Sequence, residues 1–133
     1  MALKISLKPN EKMIISGAVV TNGNMRSDLS IENKVAILRE KDIMKEVEAD
    51  TPCRRIYFVI QLMYINEGNV VEYHKAYWEL VKDVLAAAPS TLDLIDPISR
   101  HILNEEYYKA LKLTRKLIDY EEEVVGNAGK SGV

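Results

Sequence analysis

A single cysteine, Cys53, occurs in 133 residues, so no intrachain disulfide is possible. A reducing compartment is the natural setting for such a chain. The only two histidines, His74 and His101, lie 27 positions apart and show no metal-ligand spacing. Aromatic residues are few and one-sided: residues 1–55 contain no Phe, Tyr or Trp. Base stacking is therefore excluded as the main source of affinity in that half, although it is what most RNA-reading sheets use. Long apolar runs are missing too. The longest stretch, residues 56–65, is ten residues and includes Gln61, far short of the roughly 20 a membrane-spanning helix needs. Lysines interrupt the apolar residues of Leu3 to Lys8, so no signal-peptide core can be drawn there. A soluble cytoplasmic protein without a membrane partner is expected.

Neither sign of charge dominates, the net charge being −2. Residues 1–55 hold ten Lys+Arg against eight Asp+Glu, and residues 56–133 hold eight against twelve. The N-terminal half is thus the better candidate for an acidic partner.

What is present reads as an α+β chain. Leu3-Lys4-Ile5-Ser6-Leu7-Lys8 alternates apolar and polar side chains, as a half-buried strand requires. Pro9-Asn10 breaks that ladder. Met13-Ile14-Ile15 and Ala18-Val19-Val20 are short apolar runs separated by Ser16-Gly17, and Asn22-Gly23 is a strong hairpin signal. Leu29-Ser30-Ile31 and Val35-Ala36-Ile37-Leu38, joined by a turn at Asn33-Lys34, complete about five strands. With no room for helical crossovers, one small antiparallel sheet is predicted. Thr51-Pro52 then reads as an N-cap with proline at the first helical position. Residues 53–65 fit a largely buried helix. A buried strand also fits Ile56-Tyr57-Phe58-Val59-Ile60, but the cap and the length favour the helix.

Residues 70–88 carry Val71, Ala76 or Tyr77, Leu80, Val84 and Leu85 at helical spacing. Ser90-Thr91-Leu92-Asp93 resembles a capping box, opening a helix through Leu94, Ile95, Ile98, Ile102 and Leu103 with a kink at Asp96-Pro97. Asn104 is predicted to cap a last helix running to about Val125. The expected organisation is a strand-rich subdomain over 1–48, about four helices over 51–125, and a disordered tail over 126–133.

Catalytic patterns are weak, so no enzyme, cofactor or metal is expected. Cys53 has no histidine nearby in sequence and reads as a buried structural residue. Gly126-Asn127-Ala128-Gly129-Lys130-Ser131 has only two residues between its glycines, where a phosphate loop needs four. The Glu121-Glu122-Glu123 run reads as a solvated helix end. Basic residues remain: Lys4, Lys8, Lys12, Arg26, Lys34, Arg39 and Lys41 on or between the strands, and Arg54-Arg55 opening the first helix.

Several ordered blocks resemble the FlbT family: Leu3 to Lys12, Gly17 to Val20, Asn33-Lys34, Leu38-Arg39-Glu40-Lys41-Asp42-Ile43-Met44, Thr51 to Phe58, Gln61 to Tyr64, and Tyr107 to Lys112 with Arg115 to Glu121. The resemblance implies a post-transcriptional regulator of flagellin synthesis. It would act on the 5′ untranslated region of flagellin mRNA to lower translation or promote decay, together with a small partner protein, FlaF.

Residues 3–43 also resemble, more weakly, the carbon storage regulator family (CsrA), whose five short strands form an intertwined dimer. That likeness implies a possible homodimer and RNA contact through the first and last strands, here Lys4, Lys8, Ile37, Arg39 and Lys41. Two departures stand out: paired arginines on the first strand become Leu7-Lys8, and the glycine before the glutamate becomes Asn10. Of these residues Arg39 is favoured, because a planar guanidinium can hold phosphate or a guanine edge bidentately. The alternative is a protein-interaction module whose helical half binds FlaF or flagellin, with Arg54, Arg55, Tyr107 and Tyr108 as the candidate contacts.

Overall fold

The computed structural model describes residues 2–131, apart from the side chains of residue 67 and of residues 126–131. The chain divides into two units, Met1–Ile43 and Met44–Val133.

Among the described residues the first unit holds five antiparallel strands: β1 (Leu3–Leu7), β2 (Lys12–Ile15), β3 (Ala18–Thr21), β4 (Ser27–Ile31) and β5 (Ile37–Arg39). They form two small sheets where one was expected: β1 pairs with β4, and β2 lies between β3 and β5. The period-two pattern of β1 buries Ile5 and Leu7 and leaves Lys4 exposed. Ile5 stands opposite Leu29 and Leu3 opposite Ile31. Ile5, Leu7 and Met13 form a core cluster against which Ile15, Val20, Leu29, Ile31 and Ile37 pack, so residues of both sheets share one apolar layer.

The turns explain why two sheets form. Ser16 (φ 51°) and Gly17 (φ 87°) both adopt positive φ between β2 and β3, with Ile15 directly opposite Ala18. This is the two-residue primed hairpin that matches strand twist. The stronger-looking Asn22-Gly23 signal does not make a hairpin, because β3 and β4 do not pair. The Asn22 side-chain amide instead donates to the Lys8 and Met25 carbonyls (2.8 Å each), and Asn10 N–H donates to the Gly23 carbonyl (2.8 Å). Asn22 is spent as a clamp on the β1–β2 turn. Likewise Asn33-Lys34 joins strands of different sheets and closes no hairpin.

Among the described residues the second unit has four α-helices: α1 (Pro52–Ile65), α2 (Val70–Ala87), α3 (Leu92–Leu103) and α4 (Tyr107–Ser131). Thr51 caps α1 as its sequence predicts, its hydroxyl accepting from Arg54 N–H at 3.2 Å. α1 packs against α2 and α4, and α3 against α4. Ile56, Tyr57, Ile60, Met63, Tyr77, Ile98, Ile102, Leu111 and Leu117 fill the interior.

Met44 belongs to this unit. Its N–H donates to Gln61 Oε1 (2.7 Å) and its carbonyl accepts from Gln61 Nε2 (2.9 Å), a two-way amide pairing on α1. The unit boundary accordingly falls ahead of residue 48.

Several helix details differ from the sequence pattern. Thr91 makes no cap; its hydroxyl donates to the Ala88 carbonyl (2.7 Å) and closes the preceding 3-10 turn. Pro97 sits inside one continuous α3. Asn104 ends α3, its N–H reaching the Arg100 carbonyl (3.1 Å), and Glu105 at φ 59° turns the chain before α4. Val71 and Leu103, expected in the core, are 75% and 68% exposed. α4 is drawn to Ser131, and the expected disordered tail over 126–133 falls largely on positions outside the described residues.

Candidate functional site

The β1–β2 turn is built from four residues. Glu11 N–H donates back to the Lys8 carbonyl (3.1 Å), Pro9 follows Lys8, and Asn10 takes φ 63°. Proline followed by a positive-φ residue is the order of a type II turn, which glycine or asparagine satisfies at the third position.

The Glu11 carboxylate folds back over the turn, Oε1 accepting from Lys8 N–H (2.9 Å) and Oε2 from Arg39 Nη2 (3.0 Å). Those two donors, the Lys8 N–H foremost, hold its pKa below the ordinary value. The Glu11 side chain is only 13% exposed and that of Arg39 37%.

Arg39 stands opposite Met13 on the face of β5 that Ile37 shares, the face turned to the Ile5, Leu7 and Met13 cluster. Its stem therefore runs along the apolar layer while its head emerges at the edge. There Nη2 also donates to the Ser6 carbonyl of β1 (3.0 Å), and Nε is buried with no hydrogen-bond partner among the described residues. Arg39 ties one sheet to the other.

Around this strut lies a pocket of about 550 Å³, lined by Ser6, Lys8, Pro9, Asn10, Glu11, Arg26, Arg39, Glu40 and Lys41. Four cations thus meet two carboxylates. Arg26 reaches it from the β3–β4 connection, its Nε donating to Ser6 Oγ (3.1 Å). Glu40 is held by Lys12 N–H (3.1 Å). Lys8, Arg26 and Lys41 are exposed. Exposed ammonium and guanidinium groups around a concave turn can donate hydrogen bonds to phosphate oxygens. Among the described residues no group of acidic, histidine or cysteine side chains could hold a metal ion.

Of the RNA-contact residues predicted from sequence, Lys8, Arg39 and Lys41 line this pocket together. Lys4 lies outside it, on β1 opposite Ser30. Ile37 packs on the core cluster. Arg26 was not among the candidates, because its place beside Ser6 depends on the long-range β1–β4 pairing.

The partner-contact candidates are not brought together. Arg54 is ion-paired to Asp50 and to Glu122 of α4 (2.8 Å each), and the Arg54 bond is the main reason the Asp50 pKa is lowered. Arg55 is exposed beside it. Tyr107 meets His74 edge-on, its hydroxyl 2.9 Å from Nε2. Tyr108 lies fourteen residues before Glu122 on α4, about 21 Å along the helix at 1.5 Å per residue.

The acidic run is likewise structural in part. Glu121 accepts from the Thr51 hydroxyl and from Cys53 N–H (3.1 Å), placing an anion at the N-terminus of α1. Cys53 is 3% exposed, and burial, with Glu121 beside it, pushes its thiol up to about 12. That excludes a ready thiolate nucleophile at neutral pH.

Fold and site together define a two-unit α+β protein whose strand-rich unit presents a cationic turn pocket. The chain belongs to the FlbT family: the family described as flagellar protein FlbT matches residues 3–125. It is 44% identical over 129 residues to the probable flagellum biosynthesis repressor protein FlbT of Caulobacter sp. (strain K31), covering 96% of this chain and 98% of that one. It is 43% identical over 135 residues to the flagellum biosynthesis repressor protein FlbT of Caulobacter vibrioides, covering 100% and 95%. A probable FlbT repressor of Mesorhizobium japonicum is 31% identical over 126 residues, covering 93% and 85%. No solved structure matches the chain. Among the described residues no helix is long and apolar enough to cross a membrane.

Proposed function

We propose that this protein represses flagellum biosynthesis after transcription, by binding the 5′ untranslated leader of a flagellin mRNA and lowering its translation or its lifetime. The supporting observation is the convergence of Lys8, Arg26, Arg39 and Lys41 on one pocket beside the β1–β2 turn. The names of its relatives support the repressor part of the reading.

In this reading phosphates are met by Lys8, Arg26 and Lys41. Arg39 acts mainly by holding the turn, because Glu11 and the Ser6 carbonyl already occupy Nη2. An exposed loop or single-stranded leader suits such a site better than a duplex, whose base edges are closed to side chains. The test is direct binding of a labelled flagellin leader to the purified protein across a salt series. Affinity that falls with salt supports the proposal. A leader that is not bound at 50 mM salt refutes it.

A second reading has a specific observation in its favour. α2 exposes Val71 and Trp78, two turns apart on one side of the helix, at 75% and 38%. Such a stripe suits a protein partner, with FlaF or flagellin the expected ones. Capture of either by the full chain, lost in Trp78→Ala and insensitive to nuclease, would favour it.

A further inference from the structure

We propose that Asn22-Gly23 is a modification site, where loss of side-chain ammonia from Asn22 opens the turn pocket and ends RNA binding. The loss of binding rests on the RNA reading above, whereas the reaction and the opening of the turn do not.

Asn22-Gly23 is the only asparagine–glycine pair in the chain. Its asparagine holds the pocket together. Nδ2 carries two hydrogens and is shared among three carbonyls, those of Lys8 and Met25 at 2.8 Å and that of Leu7 at 3.3 Å. The Asn22 N–H also donates to the Glu11 carbonyl (2.8 Å). One side-chain amide therefore ties Lys8 to the residue before Arg26, and both of those cations line the pocket.

The glycine is not required by the fold. Gly23 does not take positive φ, and a Cβ at this position would meet no atom within 4 Å. What glycine supplies is chemical. Gly23 is exposed, and its backbone nitrogen lies next to the Asn22 carboxamide with no side chain to hinder it.

In the reaction, Gly23 N attacks Asn22 Cγ and closes a five-membered succinimide. Nδ2 leaves as ammonia, taking the proton that Gly23 N gives up. Water then adds to one ring carbonyl and breaks its bond to the ring nitrogen. The product is an aspartate, or an isoaspartate whose main chain runs through the former side chain. Either one replaces a two-hydrogen donor by an anion that donates nothing. The Leu7, Lys8 and Met25 carbonyls lose their shared donor, and a third carboxylate joins Glu11 and Glu40 beside the phosphate-binding cations. Because the clamp holds Nδ2, the ring closes in chains whose turn has opened, so unfolding in urea should speed the reaction.

Ageing the purified full chain, warm and at mildly alkaline pH, tests this. Trypsin releases residues 13–26 as one peptide, in which Asn24, followed by Met25, is an internal control. Mass spectrometry should show conversion at Asn22 well ahead of Asn24, and leader-binding capacity should fall with the converted fraction. Gly23→Ala should convert severalfold more slowly and bind the leader within twofold of the parent. Asn22→Asp, standing in for the product, should make the salt slope shallower by about 1.4, two phosphate contacts at about 0.7 each. If the folded chain stays unconverted after the urea-unfolded chain has converted fully, the clamp is a lock and the proposal is overturned. If Asn22→Asp and the aged parent bind with the fresh parent's slope, the switch is wrong and the pocket reading survives. If the fresh parent binds no leader, the RNA reading fails and takes the loss of binding with it. A thermal midpoint lowered in aged parent but kept in aged Gly23→Ala would then still support the opening of the turn, and an unchanged midpoint would overturn that as well.

Discussion

Replacing Lys8, Arg26 and Lys41 by glutamine, singly and together, is the sharpest perturbation of the pocket. Each is exposed, so none carries much of the fold. Of the four cations around the pocket, Arg39 has its Nη2 committed to Glu11 and the Ser6 carbonyl, and the proposal assigns phosphates to the three exposed ones. For single-stranded nucleic acid, the logarithm of the binding constant falls with the logarithm of salt with a slope of about −0.7 per phosphate neutralised. Three contacts therefore contribute a slope of about −2. Between 50 and 200 mM salt that part alone lowers affinity about 18-fold. The triple variant should lose about 2 from the parent slope and each single variant about 0.7, whereas Lys8→Arg should retain the parent value. Anisotropy titrations of a labelled flagellin leader at four salt concentrations measure all of these. A triple variant with the parent slope would refute the assignment of phosphates to this pocket, whatever its affinity.

Other consequences are structural. Gln61→Leu leaves the buried Met44 N–H and carbonyl without partners, and should cost about 2–4 kcal/mol in denaturant unfolding. Asn10→Ala must hold alanine at positive φ and should cost about 1 kcal/mol, while Asn10→Gly should be nearly neutral. The Glu11 pKa is lowered by the Lys8 N–H and Arg39, so its contribution is complete above the ordinary value of 4.5 and is lost as pH falls through the lower folded value. Thermal melts between about pH 3 and pH 6 should show Glu11→Gln to be the less acid-sensitive chain below that ordinary value. Cys53 should resist thiol reagents at about pH 8 in the folded protein and react once it unfolds, because burial and Glu121 hold its thiol up at about 12.

The elements that depend on local pattern were legible. The alternation of Leu3 to Leu7, the Thr51-Pro52 cap and the helical spacing around Ile98 and Ile102 all fold as their periods dictate. What escaped depends on partners far away in the chain. Asn22-Gly23 has the chemistry of a hairpin, but three carbonyls from outside that dipeptide claim its amide. Ser16-Gly17, a weaker signal, takes the turn because Ile15 and Ala18 pair across it. Glu121 looked like a solvated helix end, and only the α1/α4 packing shows it capping another helix. In the site, Lys8, Arg39 and Lys41 were visible as basic residues. Arg26 and the inward-facing role of Ile37 required the pairing of strands 20 or more residues apart.

The same geometry changes how a loss of binding in Arg39→Ala must be interpreted. The guanidinium is at once a cation of the pocket and the tie between β1 and β5. Its removal frees the Glu11 carboxylate, so the pocket loses one positive charge and gains an uncompensated negative one facing any phosphate. It also leaves the Ser6 carbonyl without its donor, which loosens the two sheets against each other. Weak binding by that variant cannot separate contact from scaffold. Arg39→Ala/Glu11→Gln separates them, because it restores the parent pocket charge without restoring the tie. Recovery of RNA affinity in the double variant, with the thermal midpoint still lowered, would make Arg39's role in binding electrostatic. Affinity that stays lost in step with stability would make it a scaffold, and would leave Lys8, Arg26 and Lys41 as the direct contacts.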